Sequence, residues 1–156
     1  MKMTLDIKAW QKAIMTNNEQ SSYNALVLRD LVIPNILGDD TSAILYWAGR
    51  NLANKFNLPD PHTLNTFCQQ MHWGTLELTR QGRYKETYIL SGPDVQTRLQ
   101  LDPNAEFQLE TGFIAQTRQL QLNYPCEASC EHKNDHIIIT CQLDPTDDDL
   151  DTLNNL

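Results

Sequence analysis

Apolar residues recur along this chain in two rhythms, one helical and one alternating. Ile7, Trp10, Ala13 and Ile14 fall at helical spacing and predict a short amphipathic helix over 4–15. Residues 16–22 are polar and read as a linker. Ser22 then opens an apolar helix through Tyr23, Leu26, Val27, Leu31 and Ile33. Pro34 lacks an N–H and clashes with the preceding turn, so it is expected to kink or end that helix. Gly38-Asp39-Asp40 breaks the pattern, and Asp40 or Thr41 caps a helix running to about Phe56. Ile44, Leu45, Trp47, Ala48, Leu52 and Phe56 cover more than one face of it, which predicts burial on two sides. Gly49 in its middle marks close helix contact. Asp60-Pro61 starts a third helix through Leu64, Phe67, Cys68 and Met71, stopped by Gly74.

The rhythm then changes. Strands are predicted over 75–80 and 84–90 around a Gln81-Gly82-Arg83 loop with Gly82 at positive φ, placing Leu76, Leu78, Tyr84, Tyr88 and Leu90 on one face. Val95, Thr97, Leu99 and Leu101 alternate with polar residues and predict a third strand. Asp102-Pro103 begins a long helix over 103–121 with Phe107, Leu109, Phe113, Ile114 and Leu120 inward and Gly112 allowing close packing. In the last hairpin, a two-residue turn at Asn134-Asp135 pairs Lys133 with His136. Cys130 then opposes Ile139, Ala128 opposes Cys141, and Cys126 opposes Leu143. This register gathers Cys126, Ala128, Cys130, Ile137, Ile139, Cys141 and Leu143 on one face.

The full chain has 156 residues and a net charge of −8. That length suits one principal domain. The division expected is an N-terminal helix and linker (1–21), one α/β domain (22–143) and an acidic, unstructured tail (144–156). Five aspartates and no basic residue lie in the tail, so residues 1–143 carry only −3. No basic patch offers the counterion displacement that nucleic-acid binding requires. The longest apolar run, Ala43–Gly49, is far short of the roughly 18–20 residues that span a membrane. Asp6 and Lys8 interrupt the start of the chain, which does not read as a signal peptide, so the expected location is the cytoplasm. Reduced thiols are the expectation there.

Candidate chemistry is sparse. The chain has no H-E-x-x-H, no phosphate-binding glycine loop and no serine-nucleophile elbow. Glu106 and Glu110, one helical turn apart, read as a solvated face. Cys68 and His72 are four apart on the third helix and read as core. Cys126, Cys130, Cys141 and His132 make a Cys3His list. They are strung along flat strands, however, whereas zinc knuckles converge on turns. Cys141 lies diagonal to both other thiols, about 7–8 Å away, beyond the reach of an undistorted disulfide. Three small buried thiols are the simpler reading.

Four segments together resemble the YslB family. They are Tyr46-Trp47-Ala48-Gly49-Arg50 with Leu52, Ala53 and Phe56; Trp73-Gly74 before a strand; Leu90-Ser91-Gly92 with Val95 and Arg98-Leu99; and Phe107-x-Leu109-Glu110-x-Gly112-Phe113-Ile114-Ala115-Gln116. The likeness covers roughly 23–143. That family is similar to 4-vinyl-reductase domains and to small subunits of the TRAPP vesicle-tethering complex, in a superfamily that includes haem NO-binding-like domains. The resemblance implies an α+β fold with N-terminal helices and a long helix packed on one side of an antiparallel twisted sheet. It also implies homodimerisation through the N-terminal helices. Glu127-x-x-Cys130 with Cys141 matches a cysteine pattern thought to line a ligand or metal site in 4-vinyl-reductase domains. The earlier cysteine, expected near Glu110-Thr111-Gly112, is missing, and no histidine falls where a haem ligand would.

These observations point to a non-enzymatic, homodimeric module that binds a small apolar ligand, with Trp47, Phe56, Trp73, Phe113 and Cys130 lining the site and no cofactor. The alternatives are a scaffold or adaptor in a protein complex, or a thiol-based metal or redox site.

Overall fold

A computed structural model describes residues 7–16 and 23–145. The proposed acidic tail beyond Pro145, the first six residues and most of the polar linker lie outside the described residues. The first helix, α1, spans Ile7–Met15 and buries Trp10.

Of the two outcomes expected at Pro34, a kink or an end, the helix is distorted rather than ended. α2 (Tyr23–Val27) widens into a π-helical turn (Leu28–Val32), where the Ile33 N–H reaches the Leu28 carbonyl, and resumes as α3 (Ile33–Leu37). Pro34 falls in the first turn of α3, where a missing N–H is tolerated. The wider turn before it absorbs the ring. A 3-10 turn at Gly38–Asp40 leads into α4 (Thr41–Phe56). Asp60 caps α5 (Pro61–Gln70), its carboxylate accepting from the His62 and Thr63 N–H groups.

β1 (Thr75–Gln81) and β2 (Lys85–Ser91) form the first hairpin. The predicted pairing holds, with Leu76 opposite Leu90 and Leu78 opposite Tyr88, but of β1 only Leu76 is buried and Leu78 is exposed. The turn differs. A bulge between Leu78 and Arg80 carries Gln81 round to face Glu86, Gly82 is not among the positive-φ glycines, and Tyr84 is left exposed in the loop.

The third predicted strand is a helix, α6 (Pro93–Leu101). Gly92, at φ 106°, turns the chain, and Pro93 occupies the first helical turn. The buried residues are Val95, Arg98 and Leu99, a helical i, i+3, i+4 stripe. Alternation of Val95, Leu99 and Leu101 mimicked a strand because Arg98 was counted as outward. The long helix α7 begins later than expected, at Gln108–Leu122, because Asp102 instead closes a turn onto the Asn104 and Ala105 N–H groups.

β3 (Cys126–His132) and β4 (Ile137–Leu143) pair in the predicted register, residue for residue. The sheet is wholly antiparallel, in the order β1-β2-β4-β3. α7 packs between α4 and the sheet and is buried at every position from Glu110 to Arg118. At the α4–α7 crossing the backbones touch. A Cβ on Gly49 would sit 2.1 Å from the Leu109 carbonyl oxygen, and one on Gly112 would sit 1.9 Å from that of Tyr46. Both glycines were expected to mark such an approach.

Candidate functional site

Three of the five residues nominated from sequence come together. Phe67, from α5, stacks on Phe113 at 4.6 Å and meets Phe56 at 4.9 Å and Trp73 at 5.6 Å, ring centre to ring centre. Trp73 and Phe113 are buried, whereas Phe56 is half exposed. The four rings fill the space among themselves in edge-to-face and stacked pairs. Beneath them Cys68 is fully buried, and burial pushes its thiol from 9.0 up to about 12. His72, its expected helical partner, lies past the helix end at φ 55° and is exposed.

The Cys68 shift has a consequence for stability. Between about pH 9 and pH 12 the unfolded thiol loses its proton while the folded one keeps it. Unfolding therefore releases a proton, and stability falls as pH rises, by about 1.4 kcal/mol per pH unit from a single such group. Urea titrations across this window should give a shallower alkaline slope for Cys68→Ala than for the parent. Equal slopes would exclude Cys68 as the source.

Trp47 is placed elsewhere, 59% exposed and edge-on to Tyr46. Its neighbours hold the open edge of β3. The Tyr46 hydroxyl accepts from the Ala128 N–H (3.1 Å) and donates to Glu127 (2.7 Å), and Arg50 donates to the Cys126 carbonyl (2.8 Å). Gln119 of α7 accepts from the Cys126 N–H (3.1 Å). Side chains thus occupy the Cys126 N–H and C=O and the Ala128 N–H, groups that the start of an unpaired strand would offer to another chain.

Cys130 lies apart from the aromatic cluster, where Gln108 Nε2 approaches its sulfur at 3.6 Å. Cys126 and Cys141 stand diagonal across the strands on the same core face. The neighbouring Cys141 lowers the Cys126 thiol against the opposing effect of burial, and Cys126 raises the Cys141 thiol, which burial raises further. His132 Nε2 donates to the Ala105 carbonyl (2.7 Å), and its ring meets Phe107 edge-on. The Cys3His list is therefore dispersed, and among the described residues no group of three or more His, Cys, Asp or Glu side chains is set to hold a metal ion.

The most highly charged buried region was missed by sequence reasoning. Glu110, expected on a solvated face, is fully buried. Arg98 donates to it through Nη1 (3.1 Å) and grips Asp30 in a fork, Nε to Oδ2 at 2.8 Å and Nη2 to Oδ1 at 2.6 Å. Arg29, beside Asp30 in the π-turn, also donates to Glu110. Burial opposes the Arg98 charge, but its ion pairs more than offset this and hold the guanidinium above its ordinary value. Its plane covers the Phe107 ring at 4.1 Å. A second buried pair joins Arg118 of α7 to Glu86 of β2, through contacts of 2.8 and 2.9 Å. One sequence signal existed: Arg98 is in helical phase with Val95 and Leu99, and Glu110 with Phe107 and Phe113.

Among the described residues, two surface hollows bear on function. One, of about 610 Å³, lies at the β3–β4 tip between Leu99, Pro103, His132 and His136. Its polar groups are largely engaged, His136 with Asp135 and Lys133 with Glu131. The other, of about 460 Å³, is apolar, lined by Ile14 of α1 and by Tyr23, Asn24, Val27, Leu28 and Val32. No helix among the described residues is long and apolar enough to cross a membrane.

Helices laid on one side of a four-stranded antiparallel sheet define the class. The same fold occurs in the crystal structure of a vinyl-4-reductase family protein from Methanocaldococcus jannaschii, with a TM-score of 0.58 over 93% of this chain and 98% of that one. Sequence identity there is 15%, so the likeness is one of fold. Residues 22–142 match the family described as protein of unknown function DUF2507, and the chain belongs to that family. It is 33% identical over 131 residues to the uncharacterized protein YslB of Bacillus subtilis (strain 168), covering 83% of this chain and 88% of that protein.

Proposed function

We propose that this protein is a non-enzymatic, homodimeric cytoplasmic module that binds a small apolar molecule. The observation that carries the reading is the 460 Å³ groove walled by Ile14, Tyr23, Val27, Leu28 and Val32, within the usual size of small-molecule sites. Leu28 of the groove wall (54% exposed) is one of several apolar side chains on α2–α4 and the π-turn that a lone protomer leaves in water, with Ile36 (71%), Ile44 and Trp47. A second copy set against them would bury them and roof the groove. The aromatic cluster is closed by its own rings, which supports a site among the N-terminal helices over one beneath Trp73 and Phe113.

Native mass spectrometry of the full chain with a library of fatty acids and aromatic hydrocarbons tests the reading. The expected result is a dimer retaining an apolar adduct. Val27→Glu should weaken uptake about tenfold or more, through the cost of an unpaired carboxylate in the groove. Phe56→Ala should leave uptake unchanged. Uptake lost in Phe56→Ala but kept in Val27→Glu would move the site to the aromatic cluster. No adduct in either protein would end the proposal, and a monomer in sedimentation would assign the exposed side chains to a different protein partner.

A further inference from the structure

We propose that the aspartate run at 144–151 docks in cis on the β1–β2 turn of its own chain, against Arg80, Arg83 and Lys85. The proposal is independent of the apolar groove, and it begins from where positive charge is left over. Arg29, Arg98 and Arg118 are spent on buried carboxylates. Arg80, Arg83 and Lys85 instead stand exposed at the hairpin tip, with Arg83 over the Tyr84 ring at 5.4 Å. Among the described residues no other six-residue stretch holds three basic side chains. The nearby carboxylates of the domain are committed elsewhere. Glu86 is buried, where Arg118 and Gln81 donate to it. Glu127 accepts from Tyr46, and Glu77 lies opposite Ile89, toward the other end of the hairpin.

Three cations are too few for nucleic acid, where about six to ten phosphate contacts are usual. They suit a short acidic peptide, and this chain carries one. Asp144, Asp147, Asp148, Asp149 and Asp151 fall in a segment, 144–156, without a basic residue.

The end of β4 delivers that segment to the tip. Lys85 opposes Gln142, the Leu143 N–H donates to the Tyr84 carbonyl (2.7 Å), and the Asp144 N–H donates to the Pro125 carbonyl (2.9 Å). The chain therefore leaves the sheet between two loops. One, Asn123-Tyr124-Pro125, has no cation, and the other has three, so charge selects the hairpin. Asp147 is at most about 11 Å of chain beyond Asp144, and Asp151 about 25 Å, which is ample to lie along the turn. A single exposed ion pair is weak. Here the tether supplies the aspartates at an effective concentration of roughly millimolar, and several pairs form together. Salt should release them, because the screening length falls to about 3 Å at 1 M.

The test compares nitrogen–proton amide spectra of the full chain with those of a full-length variant carrying Asp147→Asn, Asp148→Asn, Asp149→Asn and Asp151→Asn. The expected result is that the amides of residues 80–85 differ between the two at low salt and coincide in about 1 M sodium chloride, while the rest of the domain is unchanged. A synthetic peptide of residues 144–156, added to the variant at roughly millimolar concentration, should restore the parent positions. Trypsin should cut after Arg80, Arg83 and Lys85 about fivefold faster in the variant at low salt, the effect of two or three exposed ion pairs, and equally fast in both at high salt. Identical spectra at 80–85 would overturn the proposal. So would differences centred on Lys55 or Lys133 instead, or a difference that grows with protein concentration, which would seat the aspartates on a second copy.

Discussion

Gly112→Ala should destabilise the protein by about 3 kcal/mol or more, lowering the melting temperature by about 10 °C. The added methyl would lie 1.9 Å from the Tyr46 carbonyl oxygen and 2.8 Å from its carbonyl carbon. Neither is a flexible side-chain end, so relief requires moving one helix off the other. Gly49→Ala should act similarly, since its methyl would meet the Leu109 oxygen at 2.1 Å and the Phe113 nitrogen at 2.8 Å. The two changes separate the same pair of backbones. The double variant should therefore lose less than the sum of the singles. Thermal and urea denaturation of the three variants check this. A melting temperature within 2 °C of the parent for Gly112→Ala, roughly the shift of a sub-kcal/mol change, would show that the helices do not meet as described.

Arg98→Met should cost about 3–5 kcal/mol. The side-chain volume is nearly kept, but Asp30 and part of Glu110 lose their cation in a site closed to water. Arg98→Lys should recover little, because an ammonium cannot reproduce the fork on Asp30 or cover the Phe107 ring. Adding Asp30→Asn to Arg98→Met should restore part of the loss, since it discharges the stranded carboxylate. Urea melts of the single and double variants at pH 7 measure both effects. An Arg98→Met variant within 1 kcal/mol of the parent at pH 7, the scale of an exposed pair, would mean the ion cluster is solvated.

Because Arg29 and Asp30 sit in the π-turn, this cluster also joins the N-terminal helices to α6 and α7. α2 and α3 bury no residue of their own, so that attachment is largely ionic.

The second hairpin could be read from sequence because its information is local. A two-residue turn and strict alternation leave a single register that keeps Ile137, Ile139 and Cys141 inward, and a slip of one residue would expose all three. Gly49 and Gly112 were legible for a similar reason, as glycines beside apolar residues in the interior of predicted helices. The segment 93–101 misled because its apolar residues satisfy both periods, and only the burial of Arg98 separates helix from strand. The candidate site was legible in part. Phe56, Trp73 and Phe113 were nominated and do meet, but Phe67 joins them, and their spacing along the chain does not say whether the rings enclose a space or fill it.

The sequence by itself therefore determined the element types over most of the chain, the register of β3 with β4 and the two glycines of the helix crossing. Each depends on neighbours in the chain or on one apolar face. The tertiary structure alone decided what the charges do. Asp30, Arg98 and Glu110 are up to 80 positions apart in sequence, and their partners exist only once the π-turn, α6 and α7 converge.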